Sequence, residues 1–151
     1  MKIYLITGAT GYIGLQLIKF LVDSDEYKQG MIKIIPHCRN KEKYESMYLA
    51  ADTKNVYPIF SDIKDINNLV EEAMQVGSLT NIDYIIHCAS NTTSSIMISN
   101  PVETIDGIVE GTKSILELAK IHDIKGMVYL SSMEVYGDVK CTPENRATED
   151  M

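Results

Sequence analysis

Thr7-Gly8-Ala9-Thr10-Gly11-Tyr12-Ile13-Gly14 is the stretch that decides the fold. It follows the apolar run Ile3-Tyr4-Leu5-Ile6 and precedes Leu15, Leu17, Ile18, Leu21 and Val22, which recur at helical spacing. The order is strand, glycine-rich turn, helix, the context in which such glycines carry information. Gly8 lets the chain leave the strand in a tight turn. Gly11 lets the backbone approach a pyrophosphate with no Cβ in the way, and Gly14 lets the helix pack closely on the strand. Free N–H groups and the positive end of the helix then face the phosphates. The stretch predicts a dinucleotide site rather than a bare turn.

Four more strands follow. Met31-Ile32-Lys33-Ile34-Ile35 reads as the second, with Pro36 at its end. Val56-Tyr57-Pro58-Ile59-Phe60 reads as the third, Pro58 implying an edge position or a short strand. Residues 83–90 form a fourth, nearly all-apolar strand, and Met127-Val128-Tyr129-Leu130 a fifth. Helices are expected over 12–22, 41–51, 65–76 and 101–122, with a polar connection at 23–30 and a Ser/Thr-rich loop at 91–100. This alternation predicts an α/β fold, a doubly wound parallel Rossmann-like sheet that runs to a fifth strand. Ligands bind such sheets at the carboxyl ends of the strands. Those ends carry the glycine turn, Arg39, Asp62, Ala89-Ser90 and Ser131-Ser132.

Composition narrows the function classes. The 151 residues amount to one domain, and 45% apolar with 23% charged residues excludes a disordered chain. A net charge of −7 argues against a general nucleic-acid binder. No apolar run approaches membrane-spanning length, and the chain opens directly on a strand. Neither a membrane nor a signal peptide is expected, and the cytoplasm is the expected location. Cys38, Cys88 and Cys141 show no metal-ligand spacing, so no metal site is expected. Cys88 reads as a buried small hydrophobe, and His87 as a core histidine with a satisfied ring.

An NAD site places an acidic residue near the end of the second strand, where it accepts from the ribose hydroxyls. None occurs between Met31 and Lys41; Arg39 and Lys41 stand there instead. A cation suits the additional 2′-phosphate of NADP, so NADP is favoured over NAD. Asp62 can cap the following helix or hydrogen-bond an adenine, and chemistry alone favours the cap.

With these pieces assembled, the chain resembles the extended short-chain dehydrogenase/reductases, in particular the N-terminal portion of the NAD-dependent epimerase/dehydratase family. The resemblance rests on Thr7 to Gly14, Asp62-Ile63, His87-Cys88-Ala89-Ser90, Gly111-Thr112 and Ser131-Ser132-Met133-Glu134-Val135-Tyr136-Gly137. It implies dinucleotide contacts from Thr7, Gly8, Thr10, Gly11, Tyr12, Ile13 and Gly14. It further implies that Asp62 and Ile63 flank the adenine, that Ala89 and Ser90 pass beneath the nicotinamide ribose, and that Ser132 is the catalytic residue that hydrogen-bonds the reacting hydroxyl or carbonyl. The implied activity is hydride transfer between nicotinamide and a sugar carbon of a nucleotide sugar. The implied assembly is a homodimer through the long helix that contains Gly107 and Gly111.

The family also uses a Tyr-x-x-x-Lys pair, in which the lysine depresses the pKa of the tyrosine general acid/base. No tyrosine follows Tyr136. Tyr136 and Lys140 match the spacing, but Gly137 and Pro143 argue against a helix there. Residues 1–137 are therefore read as the dinucleotide-binding domain, and 138–151 as a loop leading toward a catalytic helix and substrate-binding part that these residues lack. On that reading the chain alone binds a dinucleotide and does not turn over. Ile108 stands where many relatives carry Asn, which argues against a proton relay through that residue. Met133 stands where the dehydratases carry Asp while Glu134 remains, which favours epimerase or reductase over dehydratase. The alternatives are an NADPH-dependent carbonyl reductase and a non-catalytic dinucleotide-binding or sensor module.

Overall fold

A computed structural model describes residues 1–48, 54–91, 93–137 and 148. Strand β1 (Lys2–Thr7) leads through the glycine turn into α1 (Tyr12–Asp23). A short α2 (Asp25–Lys28), β2 (Ile32–Cys38) and α3 (Lys41–Tyr48) follow. Next come β3 (Ile59–Phe60), a 3₁₀ turn (Ile63–Asp65) and α4 (Ile66–Gly77). The described chain ends with β4 (Tyr84–His87), α5 (Ser94–Ser99), α6 (Pro101–Ile121), β5 (Gly126–Tyr129) and a second 3₁₀ turn (Met133–Tyr136).

All pairings are parallel, in the order β3-β2-β1-β4-β5. The two halves of the chain diverge between β1 and β4, which makes the crevice above those strands the topological switch point. Alternate residues of each strand feed opposite faces. Ile3, Leu5, Ile35 and Ile85 pack with Val70, Met74, Ile115 and Leu118 from α4 and α6. Ile6, Ile32, Ile34 and Cys38 pack with Ile18, Leu21, Tyr27, Tyr44 and Tyr48 from α1 to α3. Both faces are covered, which is why the central strands read as continuous apolar runs.

Several element bounds differ from expectation for local reasons. β2 continues through Pro36 to Cys38. Ile34 and Cys38 exchange backbone hydrogen bonds with the β3 side, so the Pro36 nitrogen faces that side too. There Ile34 makes one isolated bridge to Val56, ahead of β3, and β2 pairs with β3 only from His37–Ile59 onward, so the missing N–H falls in the gap. β3 is a two-residue edge strand, as Pro58 implied. The expected polar connection holds α2, nucleated by Ser24, whose hydroxyl accepts from the Tyr27 N–H at 3.3 Å. The expected loop at 91–100 contains α5. Gly111 does permit close packing, since a Cβ there would lie 2.6 Å from Cγ2 of Ile63. Gly107 faces open space instead. β5 is the other edge of the sheet, with Val128 and Tyr129 exposed. Of the expected third helix only 41–48 is described, and the 138–151 loop reading, with Lys140, Cys141 and Pro143, lies outside the described residues apart from 148.

Candidate functional site

A cleft of about 520 Å³ opens over the carboxyl ends of β1, β2, β3 and β4. Gly8, Thr10 and Gly11 form its floor, Arg39, Asp62 and Ile63 one end, and Ala89 and Ser90 the β4 side. The wall opposite the glycine turn comes from α6, through Glu103, Thr104, Gly107 and Ile108.

The glycine turn is held from three directions. Gly8 has φ +71°, and a Cβ there would lie 2.9 Å from the Ala89 nitrogen and the Cys88 carbonyl group. It therefore serves both the turn and a backbone-on-backbone approach to the end of β4. Gly14 is buried, and a Cβ there would run into the carbonyl oxygen of Gly8 and lie 3.0 Å from its carbonyl carbon. Ala9 donates its N–H to the His37 carbonyl at 3.0 Å and accepts from the buried Tyr48 hydroxyl at 2.9 Å. α3 thus braces the loop from behind.

Thr7 is fully buried and does not line the cleft. Its Oγ1 accepts from the Cys88 and Ala89 N–H groups, both at 3.1 Å, and lies 2.7 Å from Nδ1 of His87. A hydroxyl has two acceptor lone pairs and one proton. Both lone pairs are taken by amides, so Thr7 donates to His87 Nδ1 and the ring carries its proton on Nε2. His87 is accordingly a core histidine with a satisfied Nδ1. Cys88 lies just past β4, half-buried in the cleft wall rather than inside a strand.

His37 sits beside Thr7 in register and is 2% exposed. Its Nε2–H donates to the Ser61 carbonyl at 3.2 Å, while Nδ1 is buried without a hydrogen-bond partner among the described residues. Burial above all, with the neighbouring Arg39 and His87, pushes its pKa down to about 4. The Ser61 bond and Asp62 oppose this without prevailing. A histidine whose folded pKa is lowered is neutral in the fold but takes a proton in the unfolded chain below about pH 6.5. Stability is full above that pH and falls as pH drops from about 6.5 toward 4, by at most ~1.4 kcal/mol per pH unit from this residue. Urea unfolding at pH 7, 6 and 5 should show the decline, and His37→Asn should flatten it. An unchanged slope in His37→Asn contradicts the assignment.

The fit to a dinucleotide can be tested on the cleft itself. Gly11 is the N-cap of α1 and offers no side-chain bond to the first-turn N–H groups, and no acidic side chain occupies that turn. The helix N-terminus is thus left to an outside anion. A Cβ at Gly11 would meet only the Gly8 carbonyl oxygen, at 3.1 Å, so the space above is open to a ligand. The residues present fit a pyrophosphate.

The expected site residues divide into two groups. Gly8, Thr10, Gly11, Arg39, Asp62, Ile63, Ala89 and Ser90 all line the one cleft. Asp62 also caps the 3₁₀ turn, its carboxylate accepting from the Lys64 N–H at 3.1 Å, so both readings of this residue have a place. Thr7 and Gly14 are buried supports, and Tyr12 and Ile13 are exposed on α1 away from the lining. Lys41 pairs with Glu45 at 3.8 Å and does not line the cleft. Lys43, one helical step further, does, and so does Lys64. Ser132 is exposed beyond β5 and is not among the lining residues; its carbonyl accepts from the Val135 N–H at 3.2 Å. The 3₁₀ turn ends at Tyr136 and Gly137 follows with φ +66°, outside the helical region, while Lys140 lies outside the described residues. Sequence reasoning missed His37, Lys43 and the α6 wall. Lys43 could have been found by noting that Lys41 and Lys43 point to different sides of one helix. Among the described residues no cluster of three or more His, Cys, Asp or Glu could hold a metal, and no helix is long and apolar enough to cross a membrane.

Comparison with known proteins places these features in a wider set. The sequence profile of the NAD dependent epimerase/dehydratase family matches residues 4–151. An uncharacterised protein of Methanocaldococcus jannaschii, MJ1055, is 31% identical over 148 residues, 94% of this chain and 43% of its own length. The UDP-glucose 4-epimerase of Halalkalibacterium halodurans is 27% identical over 134 residues, 89% of this chain and 36% of its own. Among solved structures, a UDP-N-acetylglucosamine 4-epimerase from Methanobrevibacter ruminantium in complex with UDP-N-acetylmuramic acid superposes with TM-score 0.74 at 20% identity. That match covers 94% of this chain and 41% of the other. DesIV, a dTDP-glucose 4,6-dehydratase from Streptomyces venezuelae with NAD and TYD bound, gives 0.72 at 22% identity, covering 93% and 42%. The chain thus spans well under half the length of these four proteins.

Proposed function

This chain belongs to the NAD dependent epimerase/dehydratase family, and on that premise we propose that it binds a nicotinamide dinucleotide in the glycine-floored cleft. The observation that carries the reading is the uncapped α1 N-terminus over Gly11, set in one cleft with residues from four strand ends. Gly8, Thr10 and Gly11 hold the pyrophosphate, Asp62 and Ile63 flank the adenine, and Ala89 and Ser90 lie toward the nicotinamide ribose. Thr7 and Gly14 shape the turn without touching the ligand. When bound, the nicotinamide accepts or returns a hydride. The chain's own part is to bind the dinucleotide, fix its orientation and exclude water from its buried side.

The activity we infer for the whole protein is epimerase-like chemistry on a nucleotide-linked sugar, in the cytoplasm, with Ser132 hydrogen-bonding the reacting oxygen. Ser132 follows β5 and Ala89-Ser90 follow β4, so neighbouring strands bring them to the same end of the sheet. No tyrosine follows Tyr136 in the sequence, and this supports dinucleotide binding without turnover for residues 1–151 taken alone. Arg39 and the absence of an acid between Met31 and Lys41 support NADP over NAD. A homodimer through α6 is supported by its outward Val102, Ile105, Val109 and Leu116, each more than half exposed.

Calorimetric titration of the chain with NADP and NAD, on samples also run in a sedimentation cell, tests this reading. Saturable binding of at least one dinucleotide is expected, together with a species heavier than 16.9 kDa. Absence of binding overturns the cleft assignment, and a strictly monomeric profile overturns the dimer.

A further inference from the structure

We propose that α6 sets the adenine position of the cleft, with Gly111 and Ser114 as positioning residues that seat the 3₁₀ turn carrying Ile63. The inference rests on the dinucleotide reading above, in which Asp62 and Ile63 flank the adenine. It adds the residues that hold them there.

Gly111 lies in the middle of α6, and its φ is not in the left-handed region. Glycine weakens a helix relative to alanine at such a position, so backbone conformation gives no reason for it. The reason lies across the helix surface. A Cβ there would lie 2.6 Å from Cγ2 of Ile63, closer than Cβ atoms approach a neighbour. Ile63 is β-branched, and the atom that would be struck sits on its own Cβ, so no flexible end can swing aside. Gly107, one turn earlier, has nothing within 4 Å of its Cβ position, so the close approach belongs to Gly111.

A second contact from α6 reaches the same turn. Ser114, three residues on and on the same side of the helix, donates from Oγ to the Lys64 carbonyl at 3.3 Å. The turn is also closed on itself. Asp62 accepts the Lys64 N–H on its carboxylate and the Asp65 N–H on its carbonyl, both at 3.1 Å. Such a turn moves as a unit, and its place is fixed by what it rests on. Ile63 packs against the core that Ile115 and Leu118 of α6 join, and it lines the cleft as well. A displacement at the Gly111 seat therefore reaches the adenine side directly. The pyrophosphate position belongs to different elements, the turn between β1 and α1.

The test titrates the whole chain with adenosine 5′-diphosphate, which uses the pyrophosphate and adenine positions, and with inorganic pyrophosphate, which uses the first alone. The nucleotide is expected to bind more tightly. Gly111→Ala should weaken the nucleotide about fivefold or more and leave pyrophosphate unchanged. Ser114→Ala should weaken the nucleotide about twofold to threefold by the same route. In an Ile63→Ala background, where Cγ2 is gone, Gly111→Ala should have no further effect. Unchanged nucleotide affinity in Gly111→Ala overturns the seat, and so does a parallel loss of both ligands, the mark of a merely structural glycine. An undiminished effect in the Ile63→Ala background overturns the route through Ile63. If Gly111→Ala does not fold, Ser114→Ala decides, and unchanged nucleotide affinity there overturns the seat. If pyrophosphate binds and the nucleotide binds no tighter, the seat fails while the pyrophosphate position stands. If neither ligand binds, the dinucleotide reading fails and the seat with it.

Discussion

Gly8→Ala destabilises this protein by about 3 kcal/mol or more and removes nucleotide binding in the same step. Two costs add. At φ +71° an L-residue sits in the left-handed region, at about 1–2 kcal/mol. The new Cβ then meets the Ala89 nitrogen and the Cys88 carbonyl group at 2.9 Å, and these are backbone atoms that cannot rotate away. Relief requires moving β1 from β4 at the point where Thr7 joins them. The amides that Thr7 holds are those of Cys88 and Ala89, so the same movement disturbs the cleft wall. Chemical denaturation of the variant measures the loss. A change below about 1 kcal/mol contradicts the account of the turn.

Thr7→Val is the second large effect, and it isolates the hydroxyl from the shape. Valine fills the same volume but leaves the Cys88 and Ala89 N–H groups and His87 Nδ1 without their partner. Each buried group left unsatisfied costs about 1–3 kcal/mol, so a total near 3 kcal/mol is expected. Thr7→Ser keeps the oxygen and loses one methyl, at about 1 kcal/mol. If the two variants are equally stable in urea, the three-way hydrogen bond is not what ties β1 to β4.

The sheet was legible because periodicity and glycine placement are local signals. Ile3-Tyr4-Leu5-Ile6 supplies both faces of the sheet, and Gly14 answers to contacts within its own turn, whereas Gly8 answers to the end of β4 as well. The short helices were not legible. α2 depends on a single Ser24 cap and α5 on no side-chain cap at all, so neither has a periodic stretch long enough to read. Pro36 misled for a related reason. A missing N–H ends a strand only where a partner would use it, and the partner strand here begins one residue later.

Half of the site was legible for the same reason that strand ends were. Arg39, Asp62 and Ala89-Ser90 follow directly from where strands stop, and the sheet order then assembles them. What the sequence could not convey is which side chains reach inward once there. Tyr12 and Ile13 belong to the glycine stretch yet face solvent, while Thr7 of the same stretch is buried beneath it. Lys43 replaces Lys41 because the first turn of α3 carries one over the cleft and the other toward Glu45. Ser132 depends on strand β5 at the edge of the sheet, where β4 supplies contacts on one side only.

The claim at the centre is that an anion lies over Gly11 at the start of α1. Gly11→Ala tests it most directly, because φ is −81° there and the new Cβ meets only the Gly8 carbonyl oxygen at 3.1 Å. The fold should therefore tolerate the change to within about 1 kcal/mol, while the methyl occupies the space of the pyrophosphate. Titration of wild type and variant with NADP or NAD, each beside a thermal melt, is the measurement. The account predicts nearly matching melts and affinity weakened by about tenfold or more in the variant. Equal affinity in the two proteins would contradict it.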